Sequence, residues 1–251
     1  MSETLILSRA PIVEAVLDID CDMPPGWNLA ALEAPAREAF RDPYAKFRLQ
    51  LIDEHQIEDR GDGPPTVSGR RGILALQFLQ EDQKQVVQVR AQGFSFNRLT
   101  PYSTLDDYLP EIQRTWHLFV NLASPIQIRV VRLRYINRIL LPLTEGHIRL
   151  SSYLRMSPEV PPEAGLVFAG CLNQQRAVDE ATGDEVSIVL ASQLLEKDAL
   201  PVILDISAAN RAGAAKPDDW GPILSRITVL RALKNRVFRS ILTDECLKLF
   251  Q

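Results

Sequence analysis

Polar and apolar residues alternate with a period of two along much of this chain, and the longest such run lies at its middle. Across residues 126–142, IQIRVVRLRYINRILLP, Val131, Leu133, Tyr135, Ile139 and Leu141 fall on one parity, while Arg132, Arg134 and Arg138 fall on the other. Side chains on a strand point alternately to opposite faces, so the run reads as a central strand with a core face and an arginine stripe. Residues 11–22 repeat the pattern, with Val13, Ala15, Leu17, Ile19 and Cys21 set against Glu14, Asp18 and Asp20. A first strand with one wet face is expected there.

Spacing turns helical over 29–40, at Leu29, Leu32, Ala36 and Phe40, where Pro35 implies a kink or a late start. Alternation returns at 47–51. The stretch GDGPPTVSGRRG at 61–72 predicts a loop whose GRRG leads into a hairpin. Strands are expected over 73–80 and 85–99, joined by QEDQK. At Gly93 the parity slips, because Phe94 and Phe96 take the polar positions; a β-bulge within one continuous strand would do this. Ser103 or Thr104, followed by Asp106 and Asp107, caps a helix built on Leu105, Leu109, Ile112, Trp116 and Phe119 and bent by Pro110. Past the central strand, 147–156 suits a short helix, 156–165 a loop, and 166–178, 185–195 and 201–209 three strands. Ile223, Ile227, Leu230, Leu233, Val237, Phe238 and Ile241 make one face of a long helix, and Thr243 caps a last short one.

Side by side, the elements read β-α-β-β-β-α over 11–123 and β-(α)-β-β-β-α over 126–241. The expected fold is α/β of the α+β kind. Two repeated halves, 1–124 and 125–251, would share a curved antiparallel sheet through their first strands, each half backed by its long helix. That order resembles helix-grip folds and the saddle of the TATA-box-binding protein, an architectural likeness that carries no function.

Composition places this fold in an ordinary globular protein, with 46% hydrophobic and 24% charged residues. A net charge of −4 argues against bulk attraction to phosphate, so nucleic acid is not indicated as a partner. Cys21, Cys171 and Cys246 form no CxxC pair, which suggests neither a zinc site nor a disulfide framework. No apolar run approaches a membrane span, and the first residues do not read as a signal peptide. A cytoplasmic protein with no cofactor, no metal and no membrane partner is expected.

Three segments, PIVEAV, FSFNRLTPYSTLDDY and LRYINRILLP, resemble an uncharacterised, sporadically distributed family of bacterial proteins of about this length. The shared motifs are P-I-x-E-A at Pro11, Ile12, Glu14 and Ala15, the step at Phe96, Arg98, Leu99 and Tyr102, and R-Y-I-N at Arg134, Tyr135, Ile136 and Asn137. This chain lacks the tryptophan that the resemblance leads one to expect near Leu105. The resemblance implies a full-length match and a bacterial cytosolic setting with mobile or defence-associated neighbours. It implies no activity.

The arginine stripe is the main chemical lead. Arg132, Arg134 and Arg138 either pair with Glu14 and Asp18 across the sheet or, together with Arg90 and Glu14, line a binding face. Guanidinium forks suit carboxylate and phosphate. Asn137, on the apolar parity, is expected to make a structural hydrogen bond to a neighbouring loop, and His55, His117 and His147 lack metal-ligand spacing. Nucleophile, phosphate-loop and metal motifs are absent. Two readings follow. One is a non-catalytic binding or interaction protein that uses the polar sheet face for a protein partner or small anionic ligand, with homo-oligomer formation left open. The other is a nuclease or hydrolase whose site is assembled around Glu14 and Arg132, Arg134 and Arg138.

Overall fold

The alternating segments become strands of one sheet. A computed structural model describes residues 7–58, 66–144, 147–156, 165–166, 168–211 and 215–251. The expected loop positions at 61–65 and 157–164 lie outside the described residues. In chain order the elements are β1 (Ile12–Asp22), α1 (Glu33–Ala39), β2 (Lys46–Glu58), β3 (Thr66–Leu79), β4 (Gln85–Arg90), β5 (Gly93–Leu99) and α2 (Leu105–Ala123). There follow β6 (Gln127–Pro142), β7 (Leu172–Val178), β8 (Glu185–Ser192), β9 (Ala199–Asn210), α3 (Trp220–Ile241) and α4 (Asp244–Lys248). The nine strands form an open sheet in the order β2-β3-β4-β5-β1-β6-β9-β8-β7, antiparallel at every pairing. The central strand β6 pairs with β1 on one side and β9 on the other.

Local chemistry accounts for where helices begin. Asn28 caps a single 3-10 turn, Leu29–Leu32, and α1 starts only at Glu33. Pro35 then falls in the first turn of α1, where its missing N–H has no intrahelical acceptor to lose. Thr104 and Asp107 form a reciprocal capping box at the start of α2. Asp219 caps α3 through the Gly221 N–H, and Thr243 caps α4 through that of Cys246.

The structure departs from the sequence expectation at four places. The slip at Gly93 is not a bulge: β4 ends at Arg90, and a two-residue turn reverses the chain into β5, with Arg90 opposite Gly93. Parity changes because the strand changes. The first half accordingly holds one strand more than its reading predicts. GRRG is not a loop, since β3 begins at Thr66 and pairs with β2 from Glu58 back to Lys46. β4 meets β3 only from Ala75 to Leu79, so the outer part of β2 and β3 is a ribbon without a third strand beside β3. In the second half, the strand expected from 166 begins at Leu172, and 147–156 yields one 3-10 turn, Leu150–Ser152.

Helices α2 and α3 pack on one face of the sheet, α2 against β5 and α3 against β6 and β9. Leu17 and Ile19 of β1, Leu133, Tyr135 and Ile139 of β6, and Leu204 and Ile206 of β9 point into this layer with Ile112, Trp116, Phe119, Ile227 and Leu230. Phe94, Trp116 and Phe119 form an aromatic cluster with ring centroids 5.3 to 5.8 Å apart. Asn137 lies in the same layer, and its amide donates to the Leu204 carbonyl at 2.9 Å, on the neighbouring strand rather than on a loop.

Candidate functional site

The opposite face carries the expected stripe, and strand register decides which charges meet. Asp18 stands between Ser95 of β5 and Arg132 of β6, while Val16 stands between Asn97 and Arg134. Glu14 is beside Leu99 and Ile136. The arginines therefore divide among different partners.

Arg90 reaches over Gly93 from β4 and donates to Asp20 at 2.6 Å and to the Phe94 carbonyl at 3.0 Å, with Asp18 at 3.8 Å. Asp18 also accepts from the Ser95 hydroxyl at 2.5 Å. Arg134 forms a bidentate pair with Asp205 of β9, its Nε at 2.9 Å and its Nη2 at 2.5 Å. Hydrogen bonds to Asp205, with the charges of Asp205, Glu14 and Asp18 behind them and desolvation opposing, hold the guanidinium pKa above its ordinary value. Arg138 turns to the end of β8, binding Gln193 at 3.1 Å and Glu196 at 2.6 Å. Glu14 accepts from Asn97 at 2.7 Å and ends a chain of side-chain amides that crosses the face from Gln50 through Gln77 and Gln88. Among the described residues Glu14 has no ion pair.

Arg132 differs from the other three. Its nearest carboxylate oxygens, on Asp18 and Asp20, lie at 3.6 and 3.7 Å, outside hydrogen-bonding distance, and its side chain is 31% exposed. Both acids accept closer bonds from Arg90 or Ser95 on Oδ1, while Arg132 faces their Oδ2 atoms as longer ion pairs. Arg132 lines a shallow cleft of about 460 Å³, together with Asp20, Gln127, Arg129 and Arg211.

Arg129 reaches this cleft through a bulge. Asp20 pairs with Val130 but Cys21 pairs with Ile128, so Arg129 is the extra residue on β6. The bulge turns it toward the side of Arg132, where it meets Asp22 at 3.3 Å. Arg211, just past β9, pairs with Glu185 at 2.8 Å. Of the five residues proposed from sequence, Arg132 alone lines the cleft. Arg129 and Arg211 were missed. The break in parity between Ile128 and Val131 was the available signal for Arg129; nothing in the sequence pointed to Arg211.

Three guanidinium groups line the cleft, a type that suits carboxylate or phosphate, and each also faces an acid: Asp22 for Arg129, Asp18 and Asp20 for Arg132, and Glu185 for Arg211. Among the described residues no group of three or more His, Cys, Asp or Glu is placed to hold a metal ion. No helix among the described residues is long and apolar enough to cross a membrane. No family model matches the chain, and no curated protein is similar to it.

Proposed function

We propose that this protein is a non-catalytic binding protein that takes up an anionic group, a carboxylate or phosphate, on its polar sheet face at the Arg132 cleft. The observation that carries this is the placement of Arg132, which lines the cleft and, unlike Arg90, Arg134 and Arg138, meets its acids only beyond hydrogen-bonding distance. Arg134 and Arg138 act as structural pairs in this reading, and Arg90 holds Asp18 and Asp20 in place. The hydrolase alternative has less support, because Glu14 binds Asn97 and lies outside the cleft.

The same reading includes the duplication. Each part of the sheet places its first strand beside its last, β1 beside β5 and β6 beside β9, and the two first strands pair. That order supports two repeated halves joined as a saddle-like sheet. A cytoplasmic location suits its three free cysteines.

Calorimetric titration with inorganic phosphate and with succinate at low salt tests the site. Binding that weakens at least tenfold in Arg132→Gln, with an unchanged melting temperature, is expected. Failure of both anions to bind, or equal binding by Arg132→Gln, overturns it.

A further inference from the structure

The two edges of the sheet differ in how they are protected. At one edge, β2 carries Lys46, Arg48 and Asp53 and an irregularity between Gln50 and Leu51, devices that discourage pairing with another strand. At the other edge, β7, LNQQRAV, contains one charge, no proline and no break in its register with β8. Its backbone polarity can be assigned. Ser192 N–H donates to the Cys171 carbonyl and Asp179 N–H to the Asp184 carbonyl, so odd-numbered residues of β7 turn their backbone groups toward β8. Leu172, Gln174, Arg176 and Val178 therefore turn theirs outward, and among the described residues no hydrogen bond reaches these groups. Leu172 and Val178 are also 76% and 63% exposed.

We propose that β7 is a self-pairing edge, where a second copy of this chain adds its own β7 antiparallel about a two-fold axis through Gln175. This inference is independent of the anion site. Charge and register together select the second copy. Centred on Gln175, all four outward residues find hydrogen-bonding partners, Leu172 opposite Val178 and Gln174 opposite Arg176. Apolar side chains then cover each other at both ends of the ribbon, and the single charge faces a neutral amide that can accept from it. Centred on Arg176, the same strand would oppose two guanidinium groups directly. Centred on Gln174, it would leave Val178 unpaired within the strand. The result is one continuous sheet across two copies, with the unpaired edge removed.

Cross-linking and sedimentation test this on the full chain in a Cys171→Ser background, since Cys21 and Cys246 are buried. Gln175 would face its own copy at a non-hydrogen-bonded position, where Cα atoms stand about 4.5 Å apart, within disulfide reach. Gln175→Cys should oxidise to a covalent dimer, whereas Gln174→Cys, which faces Arg176 of the second copy, should not. Arg176→Pro removes only an outward N–H, a change that an edge strand tolerates, and should sediment as a monomer at ~100 µM where the parent chain is a dimer. A monomeric parent at that concentration, which would leave the edge to a different protein's strand, overturns the proposal. So does a dimer that survives Arg176→Pro, or a Gln175→Cys variant that stays uncross-linked. The cross-linking readout does not depend on how Arg176→Pro folds.

Discussion

The indole N–H of Trp116, on α2, donates to the carbonyl of Pro217 at 2.8 Å, with both residues buried. One helix of the core layer is thereby fastened to the segment that leads into the other, 101 residues later. Trp116 is fully buried, as its helical spacing predicts. Trp116→Ala should cost about 3 to 5 kcal/mol, cavity included. Trp116→Phe keeps much of the packing but leaves the Pro217 carbonyl without its donor, a cost of about 1 to 3 kcal/mol. Urea midpoints at a constant slope measure both, and a loss below about 1 kcal/mol for the alanine variant would contradict this packing.

Arg134 and Asp205 provide a second test, because the sequence had offered Glu14 as the partner. Asp205 is only 13% exposed while Arg134 is 43% exposed, so the pair is partly screened by solvent. Arg134→Glu should destabilise by about 1 to 3 kcal/mol, largely by setting a second carboxylate against Asp205. Adding Asp205→Arg should recover most of that loss, and adding Glu14→Arg should recover less. Equal recovery by both would contradict the assignment of Asp205 as partner.

Gly93 allows β5 to pass close to β1. A Cβ at this position would stand 2.1 Å from the Ile19 carbonyl oxygen, on a backbone with φ of +145°. Gly93→Ala should lose ~3 kcal/mol or more through strain and displaced pairing. It should also weaken protection of β1 and β5 amides in hydrogen exchange, since the obstruction is backbone and cannot swing aside. Unchanged protection would argue against the close approach.

Lys234 makes stability depend on pH. It is buried on α3 with its ammonium 3.7 Å from the centre of the Tyr135 ring, and burial, assisted by the charge of Arg231, lowers its pKa from 10.5 to about 7. Between these values the unfolded chain holds a proton that the folded chain has released, so this group adds stability as pH rises through the window. Below about 7 its contribution is constant. Measured against Lys234→Met, wild-type stability should improve by at most about 1.4 kcal/mol per pH unit from pH 7 to 9. The raised pKa values of Cys21 and Cys246 are common to both proteins and cancel in the difference. A gap that stays flat with pH would mean that Lys234 remains charged throughout.

The sequence by itself determined most of the secondary elements and the face each buries, because burial imposes a period of two on strands and 3.6 on helices, but not the turn that separates β4 from β5 or the reach of β3 through GRRG. Val131, Leu133, Tyr135, Ile139 and Leu141 on β6, and Ile223, Ile227, Leu230, Leu233, Phe238 and Ile241 on α3, are buried as their spacing selects, with Val237 only partly covered. It also determined that arginines and acids share the other face. Only the tertiary structure decided which of them meet. Arg134 binds Asp205 and not Glu14 although the register sets both acids opposite Ile136, one diagonal step from Arg134 on either side; the Glu14 carboxylate is taken instead by the Asn97 amide. Parity cannot report register, since shifting a strand by two residues keeps every side chain on its face while changing every partner. For the same reason the cleft of Arg129, Arg132 and Arg211 could not be read from pattern. One of its arginines is turned by a bulge, and another follows a strand almost eighty residues away in sequence.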